Sequence, residues 1–195
     1  MKVANSLLVL ASALIGIYIV IRSKKDTNQI EDQFQQVGEQ VEEFVTGDSI
    51  VDRILQYRSY VEAAATEFEV PNWLIYGTIQ RESGGVADSI GDSGQAWGLM
   101  QVHPAAAIDA RSISPTVVRS LDPAENIRCG TAYLRWIWNY LSTRYPGFPS
   151  DSVEQWRLVA MAFNNGIGNV VNGSQVSAGY ADYVIRNGSR IASYA

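Results

Sequence analysis

The chain has 195 residues, 47% of them hydrophobic, which is enough to bury one sizeable core in a single domain. Residues 1–25 hold four basic residues and no acid, residues 26–48 hold seven acids and no base, and the remainder is near neutral. A near-neutral domain without a basic run offers no electrostatic footprint for nucleic acid. A single cysteine, Cys129, excludes an internal disulfide, and with one histidine a Cys/His zinc site is implausible. We expect Cys129 to be a small core residue.

The N-terminus contains a candidate membrane span. Residues 3–21 carry no charge, and as a helix they would cover about 29 Å, close to the thickness of the hydrocarbon core of a bilayer. We therefore predict a transmembrane anchor over residues 1–22, with the lipid bilayer as its partner. The alternative is a cleaved signal peptide, but the run is long for that purpose and no convincing small-x-small cleavage site follows it.

An acidic stretch separates this span from the rest of the chain. Residues 23–48 are polar, and we predict that they form a stalk. Residues 49–195 are predicted to form the globular domain. Three basic residues follow the span, and by the positive-inside tendency they would keep that domain on the cytoplasmic side of the membrane.

Two helices are predicted at the start of the globular domain. Ser49 and Asp52 are spaced as in a capping box, and apolar residues then continue at helical spacing as far as Phe68. Pro71 suits the first turn of a second helix that ends near Glu82.

The rest of the domain is also predicted to be mainly α. Five glycines mark residues 83–104 as a loop region, and any β-structure is expected only within residues 86–103. A long helix is predicted over residues 122–145, a buried helix over 153–163, and, after a turn-rich loop, a last helix over 178–193.

One carboxylate lies on the inward-facing side of the second helix. Glu82 follows Ile75 and Ile79 on the apolar stripe, at the C-terminal end of the helix. Desolvation and the negative end of the helix dipole both disfavour the charged form of such a group. The raised pKa that results is what a general acid needs near neutral pH. Glu82 is therefore a candidate catalytic acid, and the alternative is an ion pair with Arg81 or another arginine.

A second carboxylate follows in the segment GDSGQAWGLMQV. Asp92 stands between glycines there, and two carboxylates that flank a cleft are the usual equipment for splitting a glycosidic bond. The alternative is that Asp92 only forms a turn. Trp97, Met100 and Gln101 are suited to a sugar-binding groove, and equally to a core that contains one buried amide.

Several separated blocks carry a family resemblance. RESGG, GDSGQAWGLMQV, DPAENIRCGTAYL, AFNNGIGNV and YADYV, in this order, resemble the superfamily of goose-type lysozymes and soluble lytic transglycosylases over residues 50–195. The resemblance implies a lysozyme-like, mainly α domain (α+β) with a small loop or β region. It also implies an enzyme that cuts the β-1,4 bond between N-acetylmuramic acid and N-acetylglucosamine in peptidoglycan glycan strands. Such an enzyme needs no metal and no cofactor.

The resemblance assigns roles to individual residues. Glu82 matches the catalytic acid of the family, and Asp92 matches a second acid that holds a water in goose-type enzymes. The floor of the substrate groove, where backbone groups and a glutamine contact the sugar, is matched by Gly98, Leu99, Met100 and Gln101.

Further matches come from the C-terminal blocks. Asn164 matches an asparagine that reaches an N-acetyl group, and Tyr183 matches a tyrosine that hydrogen-bonds the acid, with Tyr180 as a competitor for that role. Two positions depart from the family pattern. Phe163 replaces the tyrosine of an Ala-Tyr-Asn motif, and His103 stands where goose-type enzymes often have another aspartate; we expect His103 to be an exposed loop residue.

Two reaction routes follow from the resemblance. In the transglycosylase route, Glu82 protonates the leaving oxygen and then acts as base on the sugar's own 6-hydroxyl, which gives a 1,6-anhydro end. In the lysozyme route, Asp92 orients a water, and the two carboxyl groups stand about 6.5–9.5 Å apart. We favour the transglycosylase because His103 weakens the arrangement of a second acid. A rival hypothesis from another class is a peptidoglycan-binding or structural protein of an envelope or virion, without turnover.

The place of action is predicted less directly. An anchored wall-cleaving domain that faces the periplasm would suit a secretion or conjugation apparatus. The basic residues after the span favour a different hypothesis, in which a bacteriophage carries the protein in an internal virion membrane and uses it during genome delivery.

Overall fold

The computed structural model of the protein describes residues 50–173 and 178–195, and these residues are mainly helical. A helical segment at residues 50–55 comes first. The helices that follow are α1 (Arg58–Phe68), α2 (Asn72–Ser83), α3 (Pro104–Ala110), α4 (Pro123–Arg144), α5 (Ser152–Asn165), α6 (Ile167–Val171) and α7 (Gly179–Ala192). Between α2 and α3 lie two short antiparallel strands, β1 (Ile90–Gly91) and β2 (Ala96–Trp97). The expectation of a mainly α domain with a small β region is confirmed.

Helix α2 is buried along its middle. Residues 74–79 are all buried, and α7 packs directly on this helix. A Cβ atom added at Gly77 would collide with the carbonyl oxygen of Val184, and one added at Gly188 would collide with that of Trp73. Glycine at both positions therefore lets the two helix backbones touch, which no larger residue permits.

Helix α4 begins as the sequence predicts. The Asp122 carboxylate accepts a hydrogen bond from the backbone N–H of Glu125 at 3.0 Å, and Pro123 occupies the first turn. The side chains that α4 turns into the core are fully buried, among them Ile127, Cys129, Leu134, Ile137 and Leu141. The burial of Cys129 confirms the expectation of a small core residue, and the same burial raises the pKa of its thiol to about 11.

Two ion pairs join α4 to α1 at the surface. Arg128 binds the Glu67 carboxylate through two nitrogens, the shortest contact being 2.7 Å, and Arg135 reaches Glu69 at 2.8 Å. The Arg128 guanidinium holds the pKa of Glu67 below its usual value. These contacts fix one edge of α4 against α1.

The predicted first helix is interrupted. A turn at residues 56–57 separates the helical residues 50–55 from α1. The backbone N–H of Tyr57 donates to Ile54, only three residues back, and the Gln56 side chain donates to the carbonyl of Arg53 at 2.7 Å. These local bonds take up groups that a continuous helix would use, so the chain bends there. Ser49, the predicted cap, lies outside the described residues.

Two short helices were not predicted from the sequence. Helix α3 starts at Pro104, a residue suited to the first helical turn, and α6 occupies the segment interpreted as a turn-rich loop. That interpretation is wrong for residues 167–171, because the positive φ angles occur only on either side of them, at Gly166 (83°) between α5 and α6 and at Gly173 (66°) after α6. Gly168 adopts helical backbone within α6.

The described part of the chain contains no helix long and apolar enough to cross a membrane. The span predicted over residues 3–21 lies outside the described residues, as does the stalk predicted over 23–48.

Candidate active site

Glu82 stands at the end of α2, where the helix leaves the core. Gly84 ends the helix with a left-handed φ of 58°, and its N–H donates to the carbonyl of Gln80 at 3.2 Å. The apolar stripe of α2 leads inward, so the Glu82 side chain is half-buried instead of pointing into solvent. No ion pair between Glu82 and an arginine forms among the described residues, and Arg81 lies 5.4 Å from the centre of the Tyr183 ring.

A tyrosine from α7 holds the carboxylate. The hydroxyl of the buried residue Tyr180 donates a hydrogen bond of 2.6 Å to Oε1 of Glu82. The assignment of this role to Tyr183 is therefore wrong, and the competing assignment to Tyr180 holds. The physical reason is the close contact of α7 with α2: Tyr180 is on the buried face of α7, whereas Tyr183 is turned toward Arg81 and is partly exposed.

The environment of Glu82 raises its pKa. Burial is the largest influence and disfavours the charged form. The hydrogen bond from Tyr180 and the charges of Arg81 and His103 act in the opposite direction and lower the pKa, but burial outweighs them. Glu82 thus retains its proton to a higher pH than an exposed glutamate, as a general acid requires.

Asp92 lies on a strained turn between β1 and β2. Asp92 and Ser93 both have left-handed backbone angles, with φ of 46° and 53°. The Asp92 carboxylate is exposed, and its Oδ2 lies 3.7 Å from Nε2 of His103. His103 is an exposed loop residue, as expected: it lies directly before α3 with extended backbone, and its side chain makes no capping hydrogen bond. The Asp92 carboxylate thus has an imidazole nearby, beyond hydrogen-bond distance.

The segment 98–101 forms a tight turn whose side chains have different environments. Leu99 and Met100 are fully buried, which supports the core interpretation for Met100 over a groove-lining role for its side chain. Gly98, with φ of 75°, packs so closely on Asn126 that a Cβ atom would collide with its amide. All three residues are buried, backbone included. The carbonyls of Gly98 and Leu99 accept hydrogen bonds from Gln101 and Ser83, and the N–H of Met100 donates to Asn126.

The side-chain amide of Gln101 donates its hydrogen bonds within the loop. Its Nε2 donates to the carbonyls of Gly98 at 2.8 Å and Ser89 at 3.1 Å, and its Oε1 packs against Gly91. Its own φ is 46°, so these bonds hold a left-handed backbone in place. The structure therefore shows Gln101 as the residue that ties β1 to the turn.

The carboxylates line one open cleft of about 300 Å³. Glu82 and Asp92 both contribute to its wall, together with Ala96, Gln101, His103, Phe163 and Asn164. Asn164 is exposed at the end of α5, with its side chain at the mouth of the cleft. Trp97 is not part of this lining: its indole N–H donates to Gly94 at 2.9 Å, and the Arg119 guanidinium lies 3.8 Å from its ring centre.

Three polar side chains that position the cleft were not singled out from the sequence. Ser83 donates to the carbonyl of Leu99 at 2.9 Å, which ties the end of α2 to the turn. Asn126, fully buried, accepts from the backbone of Met100 at 2.9 Å and donates to Trp97 at 2.8 Å. Arg119 donates to the carbonyls of Val102 and Gln95. Of the three, Asn126 is the one that the sequence could have indicated, because it is a polar residue directly before the core residue Ile127.

The fold and the cleft define a class of protein: a lysozyme-like helical domain with a half-buried carboxylic acid in an open groove. Residues 59–184 match the model of the transglycosylase SLT domain, and the chain belongs to this family. The superfamily resemblance read from the sequence is confirmed.

Curated relatives carry names of the same kind. The chain is 29% identical over 139 residues to membrane-bound lytic murein transglycosylase C of Actinobacillus succinogenes, and 31% identical over 140 residues to that of Mannheimia succiniciproducens. Each match covers 68% of this chain, which spans 37% and 38% of the two relatives.

A solved structure shares the fold. Lytic transglycosylase Slt of Pseudomonas aeruginosa, solved as an inactive mutant, is similar to this chain with a TM-score of 0.51 at 20% identity. The likeness covers 70% of this chain and 22% of that chain.

Proposed function

We propose that this protein cleaves the β-1,4 bond between N-acetylmuramic acid and N-acetylglucosamine in peptidoglycan, as a lytic transglycosylase that leaves 1,6-anhydro ends. The observation that carries the proposal is the Glu82 carboxyl group, half-buried in the cleft, with a raised pKa and a 2.6 Å hydrogen bond from Tyr180. Family membership and the names of the relatives support the same activity.

Glu82 serves twice in the proposed reaction. Its proton passes to the glycosidic oxygen as the bond from that oxygen to the anomeric carbon breaks and positive charge develops on the muramoyl ring. The resulting carboxylate then takes the proton of the 6-hydroxyl group, whose oxygen attacks the anomeric carbon and closes the anhydro ring. Glu82 is thereby protonated again, and no water is consumed.

The carboxylate left after the first step needs a stabilising donor. The Tyr180 hydroxyl favours the charged form of Glu82, so it assists the step in which Glu82 gives up its proton. Burial favours the protonated form and restores it afterwards. The opposing influences keep Glu82 within reach of both states, which suits a group that is acid first and base second.

The surroundings of Asp92 favour the intramolecular route. A hydrolase that inverts the anomeric centre needs a carboxylate that is free to hold a water. Where goose-type enzymes often have another aspartate, His103 stands 3.7 Å from the Asp92 carboxylate, beyond hydrogen-bond distance, so Asp92 would have to hold the water without a partner acid. A goose-type lysozyme remains the second candidate, and the observation in its favour is that Asp92 and Glu82 line the same cleft.

The remaining cleft residues are proposed to bind the glycan. Asn164 is exposed at the cleft mouth, where its amide can reach an N-acetyl group. Gly98, Leu99 and Met100 are buried, so they are proposed to shape the floor of the groove by packing and not to contact the sugar directly. Gln101 contributes by holding that turn, and Tyr183 by placing its partly exposed ring next to Arg81.

Mass spectrometry of the products tests the proposal. Purified peptidoglycan is digested by the full chain, with Glu82→Gln as the control. Muropeptides lighter by one water molecule than muramidase fragments are expected. Reducing ends would instead establish the lysozyme, and the absence of soluble products would favour the peptidoglycan-binding or structural protein.

We also propose that residues 3–21 anchor the enzyme in a membrane. Support comes from their uncharged sequence and from the words "membrane-bound" in the names of the relatives. Extraction of expressing cells at alkaline pH should leave the chain with the membranes, and its release would contradict the anchor. Use of the enzyme by a virion or a secretion apparatus stays a prediction, and a periplasmic C-terminus in an expressing cell would count against the virion.

A further inference from the structure

A continuous row of aromatic rings leads from the cleft along α4. Phe163, which lines the cleft, lies 5.6 Å from Tyr133 between ring centres. Tyr133 stacks on Trp136 at 5.8 Å with an interplanar angle of 17°, and Trp136 lies 5.6 Å from Tyr140. We refer to these four residues as the aromatic row.

The row occupies a face of α4 separate from the core face. Tyr133, Trp136 and Tyr140 follow each other at intervals of three and four residues and are partly exposed, as is Phe163. The neighbouring core stripe, by contrast, has no exposed surface at Leu134, Ile137 and Leu141. The four rings pack on the edge of the core, and the surface that they leave exposed forms an aromatic stripe beside the buried one.

The polar groups of the row are available to a ligand. Among the described residues, neither the indole N–H of Trp136 nor the hydroxyl of Tyr140 has a hydrogen-bond partner. Both polar atoms reach the surface, because neither is one of the buried side-chain atoms that lack a partner. Buried tyrosine and tryptophan side chains usually find a partner, so these two groups are suited to bonding with something outside the protein.

The row is also continuous with the cleft. Tyr133 and Phe163 line a hollow of about 150 Å³, and two further residues of its wall, Gln101 and His103, belong to the acid cleft as well. From Tyr133 to Tyr140 the helix advances by about 10 Å. The row ends under Arg144, whose guanidinium lies 4.8 Å from the centre of the Tyr140 ring.

We propose that the aromatic row, through Trp136 and Tyr140, binds sugar rings of the glycan strand beyond the bond that is cut. The C–H groups of a pyranose ring carry partial positive charge and pack on the negative face of an aromatic ring, while its hydroxyl and amide groups bond to the free indole N–H and phenol. The inference rests on the proposed function, because the cleft that the row extends must itself hold glycan. It makes the enzyme selective for long strands.

A binding assay on the full chain in the Glu82→Gln background tests the row. The ligands are purified peptide-free glycan strands, long in one series and short in the other. Trp136→Leu should lower the ratio of long-strand to short-strand affinity on the order of tenfold. Tyr140→Leu should lower it in the same direction, and it serves as the second variant if Trp136→Leu unfolds.

Trp138→Leu is the matched control. Trp138 is also a partly exposed tryptophan of α4, but it packs on Phe148 and Trp156 on another face of the helix. It should leave the affinity ratio unchanged. An equal fall with Trp138→Leu, or an unchanged ratio with Trp136→Leu and Tyr140→Leu, overturns the proposal.

The experiments distinguish a failure of the aromatic-row proposal from a failure of the proposed function. If the unmutated enzyme releases anhydro products but the ratio does not respond to Trp136→Leu, the row is overturned and the function stands. If no product is released but the ratio responds, the proposed function is wrong, while the row is supported as part of a glycan-binding surface.

Discussion

The two carboxylates of the cleft are held by different means. Glu82 belongs to α2, whose residues 74–79 are buried and whose backbone touches that of α7 at Gly77 and Gly188. Asp92 is exposed and lies in the turn between β1 and β2, where the backbone adopts left-handed angles. The position and pKa of Glu82 therefore derive from core packing. Asp92 lies in a segment held by a few local hydrogen bonds, so its role can change without a change of fold.

Glu82→Gln should have the largest effect on the reaction. The amide has the same shape and still accepts from Tyr180, but it has no proton to transfer, and a positioned acid and base contributes about 10²–10⁴-fold to a rate. We expect the release of soluble glycan to fall by about 10³-fold while the unfolding midpoint stays near that of the unmutated protein. Glu154→Gln, at an exposed acid of α5, is the control and should keep full activity. If Glu82→Gln kept a large part of the rate, Glu82 would not be the catalytic acid.

Gly188→Ala should disrupt the contact between α2 and α7. The added methyl group collides with the backbone of Trp73, so α7 must move away from α2, at a cost of about 1–3 kcal/mol or more in the free energy of unfolding. Gly168→Ala is the matched control, since a Cβ atom there meets nothing and the backbone is already helical. Its stability should be equal or higher by a few tenths of a kcal/mol. Denaturant unfolding distinguishes the two, and equal stabilities would show that the backbone contact is unimportant.

Tyr180→Phe should shift the pH dependence more than the maximal rate. The ring is kept and the hydroxyl is lost, and because that hydroxyl lowers the pKa of Glu82, the pKa rises in the variant. The protonated acid is the active form, so activity is lost as the pH rises through this pKa. The alkaline limb of the kcat/KM profile should therefore move to higher pH.

Tyr183→Phe provides the comparison for this shift. The Tyr183 hydroxyl makes no hydrogen bond to Glu82, so its removal should leave the alkaline limb in place. A limb that moves to lower pH in Tyr180→Phe, or that moves equally in both variants, would contradict the assignment of Tyr180.

Asp92→Asn should have the smallest effect if the cleft belongs to a transglycosylase. No water has to be held in that route, and the exposed side chain contributes little to folding, so we expect less than a tenfold fall in rate and unchanged anhydro products. A loss of rate as large as that of Glu82→Gln would show that the reaction follows the hydrolytic route. The product analysis should then find reducing ends from the unmutated enzyme.

Much of the fold was predictable wherever one strong local signal was present. Helices α2, α4, α5 and α7 follow from apolar periodicity together with Pro71 and the capping residue Asp122. The short helices α3 and α6 lacked such a signal because a helix of five to seven residues has too few turns to show a period. The turn at residues 56–57 was hidden by an apolar spacing that continues across it.

The candidate site was divided in the same way. Glu82 was predictable because its spacing from Ile75 and Ile79 places it on the inward face of α2. The choice between Tyr180 and Tyr183 was not, since both lie in one helix and only the approach of α7 to α2 selects one of them. Met100 and Gln101 belonged to a recognisable block, yet their buried side chain and internally bonded amide depend on Asn126, Ser89 and the backbone of the turn.

The sequence by itself determined the mainly α class, the choice of Glu82 as the candidate acid, and the family, because these depend on residue type and on spacing along one element. Only the tertiary structure decided which tyrosine reaches the acid, that Asp92 faces His103, and that aromatic rings from α4 and α5 join into one row. These relations arise between residues that are far apart in the chain. Their distances are determined by how closely the helices pack, which no local pattern encodes.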